Sequence, residues 1–144
     1  MKSKKGFTLI ELLAVIVILA VIALIATPLI MNVINDARKN AAIDSGYGYL
    51  KAVENAMVSK MYEDTTVAFN NGKIAPGTGD VVAYTETGAS TSINLTVTYS
   101  GSKASFTEIA VTNGSISGVT GLSVNGYKLT YDATSGKLSA GTGE

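Results

Sequence analysis

Cysteine and histidine are both absent from these 144 residues, and proline occurs only twice. Without cysteine no disulfide can brace the fold, so stability outside a cell rests on packing and strand pairing. The two absences also remove the commonest zinc ligands and the usual nucleophile–base pairs of covalent catalysis. Carboxylates are scattered: Asp80, Glu86, Glu108 and Asp132 lack the spacing of a calcium loop. Asp132 to Gly136 reads as a plain turn. No glycine loop carries the lysine that a phosphate site requires, and Gly77-Thr78-Gly79 is a turn signal only. Eleven basic residues balance eleven acidic ones, and no basic patch points to nucleic acid. These absences argue against an enzyme, a bound cofactor and a metal site.

What is present is concentrated at the N-terminus. Lys2, Lys4 and Lys5 precede Gly6, and an apolar run then begins at Phe7. Every residue from Leu12 to Ala26 is apolar, and after Thr27-Pro28 the run resumes through Leu29, Ile30 and Met31. One carboxylate, Glu11, lies just inside it. An ionisable residue in a membrane-length segment is costly, less so near its end, and implies a task. A secretory signal peptide has a shorter apolar core and an A-x-A-like cleavage site. Ala23-Leu24-Ile25-Ala26 matches that site poorly, with Pro28 close behind. Neither a signal peptide nor a plain membrane anchor calls for Gly6-Phe7 or for Glu11.

The stretch Gly6-Phe7-Thr8-Leu9-Ile10-Glu11, followed by an apolar helix, resembles the N-terminus of the type IV pilin superfamily. That superfamily covers pilins and the pseudopilins of secretion and competence systems. The resemblance implies cleavage between Gly6 and Phe7 by a prepilin peptidase, followed by N-methylation of Phe7. It implies that Glu11 takes part in subunit assembly by pairing its charge with the new amino group of Phe7, in the same chain or a neighbour. It also makes Pro28 a helix break, where helical order is lost as subunits pack. Loss of the leader removes three lysines, leaving eight basic side chains against eleven acidic ones. Many relatives close a C-terminal loop with a disulfide, which this chain cannot do.

Along the chain, the pattern predicts helix from Phe7 to about Met61. Its first half is apolar all round, and its second half is amphipathic, with Val33, Ala37, Ala41, Tyr47, Leu50, Val53, Met57 and Met61 near helical spacing. Such a helix is roughly 80 Å long against a hydrocarbon core of about 30 Å. Pro28 lacks an N–H and crowds the Leu24 carbonyl, so a kink or local melting is expected. Gly46 and Gly48 weaken the helix and fit close packing beneath a sheet. Asn70-Asn71-Gly72 and Pro76-Gly77 predict a connecting loop. β character follows in Val81–Thr85, Ser92–Tyr99, Ser105–Thr112, Ser115–Val119, Gly121–Val124, Tyr127–Tyr131 and Lys137–Ser139. Asn113-Gly114 and Asn125-Gly126 are tight-hairpin signals.

The expected fold class is α+β: a long N-terminal helix, kinked near Pro28, whose C-terminal half packs on an antiparallel sheet. Expected segments are a cleaved leader (1–6), a membrane or filament-core helix (7–31), an amphipathic helix on the head (32–61), a loop (62–80) and the sheet (81–144). The resemblance implies a structural subunit of a type IV pilus for adhesion, motility or surface attachment. Its partners are then copies of itself in a helical homopolymer, the prepilin peptidase, an assembly platform with its ATPase, and the inner membrane before assembly. The precursor would sit in the cell membrane with its leader cytoplasmic, and the product outside the cell. Two alternatives stand beside this: a pseudopilin of a type II secretion or competence system, and a membrane-tethered binding domain that never polymerises.

Overall fold

The computed structural model describes residues 6–141; the leader lysines Lys2, Lys4 and Lys5 lie outside them. One long helix, α1 (Leu9–Glu63), precedes nine strands. The chain divides into two compact units between Arg38 and Lys39. In the first unit the helix exposes its apolar residues, among them Leu12, Ile16, Leu19, Ile22 and Leu29. This is a stretch long and apolar enough to cross a membrane. The helix runs unbroken through Pro28, so no melting is seen there. Thr27 donates its hydroxyl to the Ala23 carbonyl at 2.7 Å, keeping a polar side chain bonded within the apolar run.

In the second unit one stripe of the helix is buried: Ala42, Gly46, Tyr49, Leu50, Ala52, Val53 and Met57. This corrects the expected amphipathic set. Leu50, Val53 and Met57 are in the core, whereas Ala41, Tyr47 and Met61 are exposed. Gly46 explains the turn of the stripe. A Cβ there would sit 2.6 Å from Leu129 Cδ1 and 3.0 Å from Leu138 Cδ1, so two strand leucines reach the helix backbone. Gly48 is open to solvent and has no such role. Asp64 closes the helix region, its carboxylate accepting the Thr66 N–H at 3.0 Å and hydroxyl at 2.6 Å.

The strands are β1 (Asn71–Pro76), β2 (Val81–Glu86), β3 (Ser92–Thr96), β4 (Ala104–Ser105), β5 (Glu108–Thr112), β6 (Ser115–Thr120), β7 (Leu122–Val124), β8 (Tyr127–Asp132) and β9 (Lys137–Ala140). They form two antiparallel sheets, ordered β3-β2-β1-β5-β6 and β4-β7-β8-β9. The expected loop between residues 62 and 80 therefore contains a strand, and a central one. β1 has a single large apolar residue, Ile74, and gains its place from pairing on both sides. Gly72 is required there, because a Cβ would lie 2.5 Å from the Thr85 carbonyl oxygen and 2.6 Å from the Tyr84 ring.

The expected single run Ser105–Thr112 is split between the sheets as β4 and β5. Ala104 pairs with Val124 and Glu108 with Thr120 in one continuing register, yet the two pairs belong to different sheets. A long hairpin thus bends from one sheet into the other. The corner is Gly121, at φ 68°, with the Thr107 side chain filling the space a Cβ would need. Thr107 donates its N–H to the Thr120 carbonyl at 2.9 Å, holding the two arms together at the bend. The hairpin tips are as expected: Asn113-Gly114 and Asn125-Gly126 all have positive φ, the geometry of a type I′ turn.

Both sheets and the helix share one core. Ile74, Val82, Tyr84, Leu95, Ile109 and Val111 come from the larger sheet, and Leu122, Val124, Leu129 and Leu138 from the smaller. Tyr49 joins them through ring contacts with Tyr99 at 5.1 Å, edge to face, and with Phe106 at 5.7 Å. The Leu138 N–H donates to the Tyr47 hydroxyl at 2.7 Å, tying β9 to the helix.

Candidate functional site

The residues of interest cluster at the start of α1. Gly6 is exposed with open space around it, and Phe7 is 91% exposed. The backbone on either side of the Gly6–Phe7 bond is outside the helix, which begins at Leu9. An exposed bond outside the helix is what a protease can reach.

Thr8 is the helix N-cap, and Glu11 is the third residue inside the helix. The Glu11 carboxylate accepts both the Thr8 N–H and the Thr8 hydroxyl, each at 2.7 Å. In return Thr8 Oγ1 accepts the Glu11 N–H at 3.3 Å. This reciprocal arrangement is a capping box, which satisfies donors that the helix start would otherwise leave unpaired. Its charge also lies at the positive end of the helix dipole.

Glu11 is thereby brought to Thr8. The expected pairing of Glu11 with a Phe7 ammonium is not present, because in the uncut chain the Phe7 nitrogen is a peptide amide. Sequence reasoning missed Thr8 altogether. The signal was available: Thr-x-x-Glu directly before an apolar run is the pattern of a capping box. Pro28 lies five turns further along the same helix and shares no contact with this cluster.

The turn from Asp132 to Gly136 is self-contained. The Asp132 carboxylate accepts the Thr134 N–H at 2.9 Å and the Ser135 hydroxyl at 2.6 Å, and its backbone carbonyl accepts the Gly136 N–H at 2.7 Å. The Ser135 hydroxyl, then the Thr134 amide, hold its carboxyl below the usual carboxylate range. Among the described residues, no three metal-ligating side chains gather.

Comparison with known proteins bears on the same N-terminal region and on more of the chain. The prokaryotic N-terminal methylation motif matches residues 1–27. Fimbrial protein Q of Moraxella bovis is 34% identical over 95 residues, which is 66% of this chain and 57% of that protein. The chain thus aligns with a little over half of its relative's length. No solved structure matches it. A methylation motif, similarity to a fimbrial protein and one long helix before antiparallel sheets support the type IV pilin class and give the chain a pilin-like α+β architecture.

Proposed function

We propose that this chain is a precursor cut between Gly6 and Phe7, methylated at Phe7, and assembled with copies of itself into an extracellular pilus through its N-terminal helix. The observation that carries the proposal is the exposed apolar helix. From Leu9 to Met31 its large side chains are half or more exposed, including Leu24 at 78% and Ile25 at 70%. Such a surface is stable in lipid, or against other helices like itself, and not in water. Once out of a bilayer, the helices can bury that surface only against each other. A repeat that does not close on itself then grows as an open filament.

Glu11 has two successive roles in this proposal. In the precursor it caps the helix with Thr8. After cleavage a new ammonium forms at Phe7, one residue before the cap, and the carboxylate can compensate it there or in a neighbouring subunit. Compensation matters because an unpaired charge among packed apolar helices is strongly unfavourable. Pro28 leaves the Leu24 carbonyl without its usual donor, which makes this turn the weakest of the apolar segment and the place where a packed filament can extend. The peptidase, a membrane platform and a nucleotide-driven motor are the partners the proposal requires, since no phosphate-binding loop is present in this chain.

Electron microscopy of the native host tests the proposal. Wild-type cells should carry surface fibres containing this chain, and Gly6→Leu cells should lack them while retaining the chain in membranes. A Gly6→Leu strain with normal fibres would contradict cleavage at this bond. The pseudopilin alternative predicts instead short filaments confined to the cell envelope at native expression.

A further inference from the structure

The larger sheet ends at β3, and this edge lacks the usual guards against pairing. From Thr87 to Ser102 there is no charged residue and no proline. Charges, prolines and bulges are what normally keep an exposed edge from recruiting another strand. β3 pairs with β2 without a register shift, and no other described strand pairs with it.

The register fixes which backbone groups face outward. Val97 donates its N–H to the Asp80 carbonyl at 2.8 Å, one step beyond the Thr96–Val81 pair. In an antiparallel ladder the bonding direction alternates along the strand. The backbone groups of Ile93, Leu95 and Val97 therefore face β2, and those of Ser92, Asn94 and Thr96 face the open edge. A groove of about 220 Å³ runs beside this edge, lined by Ala52, Ala56, Ser59, Lys60 and Glu63 of the helix and by Asn94, Leu95 and Thr96 among others.

We propose that β3 is a self-recognition edge: two copies of the chain pair β3 to β3, antiparallel, about a two-fold axis through Asn94. In that register Asn94 meets its own counterpart and Ser92 meets Thr96. These are the outward-bonding positions, so each pair exchanges both of its backbone bonds. On the solvent face the ladder is asparagine with asparagine and serine with threonine, all uncharged hydrogen-bonding pairs. On the core-side face Ile93 comes opposite Leu95, where the groove against Ala52 and Ala56 receives it. Within β3 itself no charge opposes another, and the Lys60–Glu63 pair, 3.1 Å apart on the helix, lines the groove beside it. The argument rests on the head alone and is independent of polymerisation through the helix. Neighbours within one filament follow a head-to-tail repeat, so a two-fold contact of this kind joins separate filaments side by side.

The test uses the full chain in detergent, where no filament is needed. The chain has no cysteine, so Asn94→Cys supplies a single thiol at the axis. A hydrogen-bonded antiparallel pair places its Cα atoms about 5.5 Å apart, a separation that a disulfide spans. Ser139→Cys, exposed on β9 at the free edge of the smaller sheet, is the control. Mild oxidation should yield covalent dimer from Asn94→Cys at an order of magnitude above Ser139→Cys. Wild type should also show a concentration-dependent dimer by sedimentation that Asn94→Lys abolishes, with circular dichroism unchanged. Equal cross-linking at both positions, no dimer from Asn94→Cys, or a dimer that survives Asn94→Lys each overturns the proposal.

Discussion

Tyr84→Phe should stabilise the head. Tyr84 lies in β2, between β1 and β3, and is 1% exposed. Its ring meets Phe69 edge to face at 4.8 Å and covers the bare Cα of Gly72. Its hydroxyl oxygen is buried and finds no hydrogen-bond partner among the described residues. Burial, and next to it the charge of Glu86, pushes the phenol's ionisation upward. A buried polar group left unpaired costs about 1–3 kcal/mol. Phenylalanine removes that cost and keeps the ring contacts, at the expense of a gap one oxygen wide. The expected net is a gain of about 1 kcal/mol, which for a domain of this size raises Tm by roughly 4–8 °C. Tyr84→Ala is the control, since losing the ring should cost about 3–5 kcal/mol. Thermal unfolding of the full chain in detergent, followed by near-ultraviolet circular dichroism, reads both. Destabilisation of Tyr84→Phe by 1 kcal/mol or more (about the value of a made hydrogen bond) would refute the reasoning, because the hydroxyl would then have a partner.

Three further outcomes are expected. Gly121→Ala should cost more than the roughly 1–2 kcal/mol of a left-handed residue, since the new Cβ also meets Thr107; a variant with wild-type Tm removes the corner from the account. Glu11→Gln retains the hydrogen bonds of the capping box but not the charge, so fibre yield should fall in Glu11→Gln as far as in Glu11→Ala. Wild-type yield from Glu11→Gln alone would leave capping, and not charge compensation, as the task of this residue. The Asp132 turn should open in acid. Its carboxyl is held below its unfolded value of 3.8, so the stabilisation is complete above that value and is lost as pH falls through the lower, folded one. Hydrogen exchange at the Thr134 amide reports it, and protection that does not change below pH 3.8 counts against the turn's dependence on an ionised Asp132.

The helix and most strands were legible because their signals are local. A run of apolar residues, the alternation in Ile93, Leu95 and Tyr127 to Tyr131, and two Asn-Gly turns each depend on a few neighbouring positions. β1 was not legible, because Asn71-Gly72 and Pro76-Gly77 carry turn composition while the strand is held by partners remote in sequence. The division into two sheets was hidden for a related reason. It hinges on Gly121 facing Thr107 across a hairpin, and neither residue signals a corner alone. The buried helix stripe was misplaced because Gly46, invisible to a hydrophobic count, is where the leucines of β8 and β9 approach closest. At the N-terminus the motif drew attention to Glu11, and its prominence obscured the simpler chemistry of Thr8.

The central claim is that the chain is processed at Gly6–Phe7 and leaves the membrane as a polymer. Mass spectrometry of the N-terminus from sheared surface material of the native host tests it most directly. The account predicts a mature chain beginning with N-methylated Phe7 in that fraction. An intact Met1, or recovery from membranes alone, would contradict it and leave a tethered domain that never polymerises.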